Sequence, residues 1–208
     1  AMFKNMTSEV FGTSDIGKII EPQDFNKTDI DDYIFHEDHE KIFFLIKAKT
    51  DEYCFTNTAF IHLDGQSAMS KKRTLHRYLY KHHPISQVSL ETAGTIDLDA
   101  EIKFNLGKQS FSIDIDKKQI DKIRDLYKAL FSIGEICKDI ERQMDTLHMM
   151  QKSVNGMFVL RELPEQVVLN LPDIICQTTL QVESHFNERR KQIEHYDFAE
   201  IFARYLPQ

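Results

Sequence analysis

From Ile96 to Leu106 the chain alternates apolar and polar residues. Leu98, Ala100, Ile102, Phe104 and Leu106 share one parity; Asp97, Asp99, Glu101, Lys103 and Asn105 share the other. A strict period of two is the pattern of a strand with one buried face and one wet face. The wet face opens with three carboxylates, and their purpose is the question the sequence poses. A metal site, a catalytic acid/base pair, a docking surface and plain solvated charge all use such residues.

The same period recurs upstream and downstream. Segments 41–49, 52–57, 59–64, 72–80, 86–92, 97–106 and 109–116 read as strands. Turn signals separate them at Thr50-Asp51, Asp64-Gly65, His83-Pro84, Ala93-Gly94 and Gly107-Lys108. Seven short strands at near-regular spacing predict an antiparallel meander that curls into a barrel or a pair of orthogonal sheets. Residues 2–35 mix apolar pairs with polar turns and predict one or two short helices packed on the strands C-terminal to them.

At Asp116 the period changes. Asp at the N-cap with Gln119 three residues on is a capping box, so a helix is predicted to start there. Leu126, Leu130, Ile133, Cys137, Ile140, Met144 and Leu147 succeed one another at alternating spacings of four and three, a heptad seam. Asn155-Gly156 and Leu163-Pro164 mark a break, and Pro172 is predicted at the first position of a second helix. That helix repeats the seam through Ile175, Thr178, Val182, His185 or Phe186, Arg189, Ile193 and Tyr196. The chain closes with FAEIFARYL, which sets Phe198, Ile201, Phe202 and Tyr205 on one face. The pattern is a helical hairpin projecting from a β domain, so truncation after Met150 is expected to leave that domain folded. Such a hairpin buries one side in its own partner helix and needs another subunit for the rest. Ile133, Ile140, Met144, Leu147, Ile175, Val182, Phe186 and Ile193 are the expected oligomerisation residues.

Composition excludes several classes. No window reaches the ~18–20 apolar residues of a membrane span, and no signal peptide precedes the first charges, so a cytoplasmic location is expected. Cys54, Cys137 and Cys176 are isolated in apolar patterns, which predicts reduced core thiols and neither disulfides nor zinc. A net charge of −7 argues against a nucleic-acid partner.

Each candidate site has a plainer alternative. Side chains two apart on a strand are rooted ~6.5–7 Å apart. That suits a flat docking surface better than a metal cage, whose oxygens converge to ~2–2.5 Å from one ion. The stretch SKKRTLHRYLYKHHP holds Lys71, Lys72, Arg73, Arg77 and Lys81 with no acid, as lipid-headgroup surfaces do. Its alternative is a basic strand facing the acidic strand of a neighbour, which the stripe of opposite sign favours. HEDHE (36–40) lacks the i, i+4 histidines of a zincin helix and reads as a polar turn. Cys54 lies among apolar neighbours, as inert thiols do, and no G-x-S-x-G, P-loop or dinucleotide glycine pattern occurs. No catalytic residue, metal or cofactor is expected.

The runs CFTNTAFIHLD (54–64) and SKKRTLHRYLYKHHPISQVSLETAGTIDLDAEIKF (70–104) resemble the bacterial pleckstrin-homology-like (PH) domain family. There a Phe-Thr-Asn strand start, a Tyr-x-x-x-x-Ile-Ser strand and a Glu-Thr-Ala-Gly…Asp-Leu-Asp-Ala-Glu block occur in this order. The helical tail resembles the YvbH-like oligomerisation region of one subgroup. The resemblance implies an α+β fold: two near-orthogonal antiparallel sheets of about seven strands, capped by the helix from Asp116, plus the C-terminal hairpin. It implies an N-terminal segment over 2–35, a PH-like domain over 36–130 and an oligomerisation region over 131–208. It also implies a non-enzymatic, cyclic homo-oligomer that binds a protein partner through a polar surface between protomers. By motif match that surface includes Glu91, Thr92, Asp97, Asp99 and Glu101. Eukaryotic relatives carry a Trp in the capping helix; here Leu126, Tyr127 or Leu130 would fill that role. Phosphoinositide-binding members surround their first loop with Lys and Arg. Here Lys47 and Lys49 stand against Asp51 and Glu52, so membrane lipid is not the expected ligand. Lys71, Lys72, Arg73, Arg77 and Lys81 carry the alternative, a peripheral adaptor on anionic lipid.

Overall fold

The computed structural model describes residues 16–65, 72–92, 99–157 and 165–206. The chain divides into two compact units, one of 1–137 with 196–208 and one of 138–195. The resemblance placed the second region at 131–208; the last residues instead return to the first unit.

In the first unit all seven expected strands form, joined by an eighth. A five-stranded antiparallel sheet runs in order through β1 (Lys18–Ile19), β2 (Ile42–Lys47), β3 (Glu52–Thr56), β4 (Ala59–Asp64) and β5 (Thr74–Leu79). A three-stranded sheet holds β6 (Ile85–Thr92), β7 (Asp99–Leu106) and β8 (Gln109–Asp116). The fold is α+β, two antiparallel sheets and a long helix. On β7 the alternation does what it predicts: Ala100, Ile102, Phe104 and Leu106 are buried and the intervening residues partly exposed. Gly107 takes a φ of 57° in the turn to β8, a conformation that favours glycine.

Within the described part of the N-terminal segment, from residue 16 on, two short helices of 3-10 type form, Pro22–Lys27 and Ile30–Tyr33, and a third, His36–Asp38, follows the segment. Short polar runs broken by turns leave too few residues to nucleate a longer helix. Ile20, Ile30 and Ile34 bury against Leu45, Cys54, Ile61 and Leu63 in a core of their own. This second core makes β2 nearly continuous in burial, since its other face meets the main core through Phe44 and Ile46. Gly17 links the sheets: its N–H donates to the Asp114 carbonyl at 2.7 Å, and the Asp116 N–H donates to its own carbonyl at 2.9 Å. A Cβ on Gly17 would lie 2.5 Å from Ile46 Cγ2, so the close approach requires glycine.

The long helix α1 spans Ile120–Met157 and passes through Asn155-Gly156, where a break was predicted. Its seam changes partner along its length. Leu126, Leu130, Ile133 and Cys137 belong to the core of the first unit, so Ile133 is no surface residue. In the second unit Ile140 and Leu147 of α1 are buried, as are Phe186 and Ile193 of α2 (Glu165–Ile193). Met144 and Val182 are half-buried and Ile175 is exposed. Pro172 lies inside α2 rather than at its start, because the helix begins at Glu165. Cys54 and Cys137 are buried as expected, whereas Cys176 is exposed on α2.

The terminal helix α3 (Ala199–Tyr205) belongs to the first unit. Phe202 stacks on Phe43 with centroids 5.3 Å apart, and Phe198 packs on Tyr80 at 5.6 Å. Asn57 fixes the approach. Its carbonyl accepts from Phe198 N at 2.9 Å, and its side-chain amide donates to Asp197 Oδ2 at 2.9 Å. A chain cut after Met150 therefore loses part of the β unit's own core, contrary to expectation.

Candidate functional site

The wet face of the three-stranded sheet gathers the carboxylates. Directly opposed residues on neighbouring strands share a face. Glu91 on β6 lies opposite Glu101 on β7, which lies opposite Asp114 on β8, so three acids form one row. Asp99 faces Asp116 in the next row. Like charges at this spacing repel. Lys103 answers part of that repulsion, with its Nζ 3.1 Å from Glu91 Oε1 and 3.1 Å from Glu101 Oε2.

This crowding sets the protonation equilibria. Hydrogen bonds from Ser112 and Lys103 hold the Glu101 carboxyl below its ordinary range. Glu101 and Glu91 raise the Lys103 ammonium in turn. Asp114 moves the other way, because burial and the charges of Asp99 and Glu101 disfavour its ionised form. Beyond the row, Gln87 adopts a φ of 50° at a bulge in β6, and its side chain accepts from Asn105 Nδ2 at 3.0 Å.

Glu91, Asp99 and Glu101 thus lie on one face, while Asp97 lies outside the described residues. Thr92 separates from them. It faces Ala100, so it belongs to the opposite side of the sheet. Asp114, Asp116, Ser112 and Lys103 are members of the face that the motif missed. A signal for them existed: the two-residue turn at Gly107-Lys108 fixes Leu106 against Gln109, and counting outward pairs Glu101 with Asp114.

Two cations of the basic strand pair with acids of their own chain. Arg77 donates to Glu40 Oε1 at 2.6 Å and to the Tyr33 carbonyl at 2.6 Å, with its guanidinium 4.5 Å from the Phe35 ring centre. Arg73 pairs with Asp29. Lys72 and Lys81 are exposed and Lys71 lies outside the described residues. HEDHE forms the turn it was read as, with His36–Asp38 in 3-10 conformation before β2, and its Glu40 is buried and accepts from Thr56 and the Phe35 N–H. Glu52 is fully buried and takes Lys47 at 2.9 Å, which removes a cation from the first loop.

The second unit carries a groove of about 700 Å³ lined by Leu147, Met150, Val154, Val182, Phe186 and Ile193. Met149, Ile174 and Leu180 are exposed on the same unit. Among the described residues, no helix is long and apolar enough to cross a membrane.

Residues 10–133 match the family described as bacterial PH domain. Over 206 residues the chain is 48% identical to the uncharacterized protein YvbH of Bacillus subtilis (strain 168), covering 99% of each. The uncharacterized protein YjqA of the same organism is 33% identical over 95 residues, 45% of this chain and 74% of its own. A PH-domain-containing bacterial protein from Exiguobacterium sibiricum 255-15, known from a crystal structure, is 43% identical. It covers 92% of this chain and 100% of its own, with a TM-score of 0.75.

Proposed function

Since the chain belongs to the bacterial PH domain family, we propose that it is a non-enzymatic cytoplasmic scaffold. It assembles as a cyclic homo-oligomer through its helical unit and binds a basic segment of a protein partner on the acidic face. The row Glu91–Glu101–Asp114 carries this reading. Within the row the ionised form of Asp114 is disfavoured by burial and by Asp99 and Glu101, and a positively charged partner would relieve that cost. The exposed apolar side chains of Met149, Ile174 and Leu180, and an apolar groove on the same unit, support self-association of the helical unit. A heterologous contact that closes gives a ring.

Light scattering on the full chain tests the assembly, and a mass several-fold above the 24.4 kDa protomer is the expected result. Partner capture is compared between the parent and the combined E91Q, D99N and E101Q variant at low and high salt. Loss of capture in the variant, with parent capture weakening as salt rises, supports the acidic face. A monomer, or capture indifferent to both changes, overturns the reading.

A further inference from the structure

A second polar cluster lies on and beside β3 and β4 of the five-stranded sheet. Register pairs Glu52 with Leu63 and Tyr53 with His62, so one step further Asp51 meets Asp64. Two carboxylates opposed in this way repel. Among the described residues neither pairs with a lysine or arginine; their ionisable neighbour is His62, whose Nε2 lies 3.3 Å from Asp51 Oδ2. One ligand-type atom from each of Asp51, His62 and Asp64 lies within 4.8 Å of the other two.

The surrounding groups orient these atoms. The Gly65 N–H donates to Asp51 Oδ1 at 3.0 Å, and the Tyr53 hydroxyl donates to Asp51 Oδ2 at 3.0 Å. The Tyr53 ring stacks on the His62 imidazole with centroids 4.6 Å apart and planes 14° from parallel. Metal sites hold their carboxylates and imidazoles with such outer partners. The His62 and Asp51 side chains retain 15% and 22% exposure, which leaves an entry path.

We propose that Asp51, His62 and Asp64 bind one divalent first-row transition-metal ion, of which Zn²⁺ is the probe. One imidazole and two carboxylates suit Zn²⁺, Co²⁺ or Mn²⁺, whereas Mg²⁺ and Ca²⁺ take oxygen ligands and gain little from His62. Around tetrahedral Zn²⁺, ligands at ~2.0–2.1 Å lie about 3.3 Å from one another, so closure asks for side-chain movements of about 1 Å. Three protein ligands leave a fourth position for water or a partner's side chain. The site is independent of the scaffold reading.

Calorimetric titration of the full chain with Zn²⁺ tests this, with visible absorption of Co²⁺ reporting the ligand geometry. Expected is one ion per chain, weakened at least about tenfold by Asp64→Asn and by His62→Asn and unchanged by His36→Asn. Asp64 pairs with Thr74 through the strand backbone, which Asp64→Asn leaves in place, so the variant is expected to fold, checked by circular dichroism. If His62→Asn does not fold, the Asp64→Asn result decides. Equal Zn²⁺ affinity in the parent and Asp64→Asn, or no binding at all, overturns the proposal.

Discussion

Gln119 grips Ile19 by both of its backbone groups: Ile19 N donates to Gln119 Oε1 at 2.7 Å, and Gln119 Nε2 donates to the Ile19 carbonyl at 3.1 Å. These two bonds fasten β1 to the entry of α1. They also explain why the predicted capping box is only half formed. Asp116 accepts from Lys118 N at 2.9 Å as an N-cap should, but Gln119 has left the reciprocal bond for a partner 100 residues away. The Asp116 N–H is instead taken by Gly17.

The first prediction rests on that grip. Replacing Gln119 by Ala removes two partly buried hydrogen bonds, at a cost of about 1–3 kcal/mol. Urea unfolding should show a lower midpoint with an unchanged slope. A variant as stable as the parent would mean that β1 does not depend on Gln119.

Much of this architecture was legible in the sequence because it is periodic. Seven strands were visible, since alternation such as that of Ala100, Ile102, Phe104 and Leu106 is a local signature of one buried face. β1 was not, because a two-residue strand such as Lys18–Ile19 has no period to read. The heptad seam on α1 was visible, but a seam records only that a face is buried. Nothing in the spacing of Ile133 and Ile140 says that one meets the β core and the other lies in the helical unit. The acidic face was half legible for the same reason: Asp99 and Glu101 announce themselves along one strand, whereas Asp114 joins them only through register. Arg77 looked like a surface cation because its partner Glu40 is 37 residues away.

A second prediction concerns Arg77. Glu40 is buried, with a side chain 4% exposed, and Arg77 is its cationic partner. Breaking such a pair leaves a buried charge uncompensated, at about 3–5 kcal/mol. Arg77→Ala should therefore lower the thermal midpoint sharply. Co-sedimentation with anionic vesicles by folded parent protein, lost in a stably folded Arg77 variant, would instead assign the strand to lipid.

The third prediction uses the pH response of Asp114. Its folded-state pKa is raised, so between the unfolded and folded values the native state holds more protons than the unfolded chain. Stability then falls as pH rises through that window. Asp114→Asn removes the effect, so the variant should be more stable than the parent at neutral pH. The gain should shrink as pH falls through the folded-state value and be gone below about pH 4, where the unfolded aspartate is also protonated. Glu101 has the opposite sign. Its lowered pKa contributes stability above the unfolded value that is lost on acidification, so Glu101→Gln should be less stable at neutral pH. Thermal melts of both variants across pH distinguish them, and parallel curves would contradict the assignment.

The fourth prediction tests whether α3 is part of the β unit or an ornament on it. Phe202 is fully buried and Phe198 nearly so, and together they cover Phe43 and Tyr80. Cutting a buried Phe back to Ala costs about 3–5 kcal/mol, which is a large part of the stability of a single domain. Phe202→Ala should thus bring the melting of the β strands down by many degrees. Truncation after Met150 should do so further, because Phe198, Leu206 and the Asn57–Asp197 bond are lost with it. Asn57 would then keep a buried amide without its carboxylate partner. Addition of a synthetic peptide covering 196–208 should recover part of the truncated chain's midpoint, since it binds the native state and not the unfolded one. A truncated chain that melts with the parent would show that the β unit closes without its last helix.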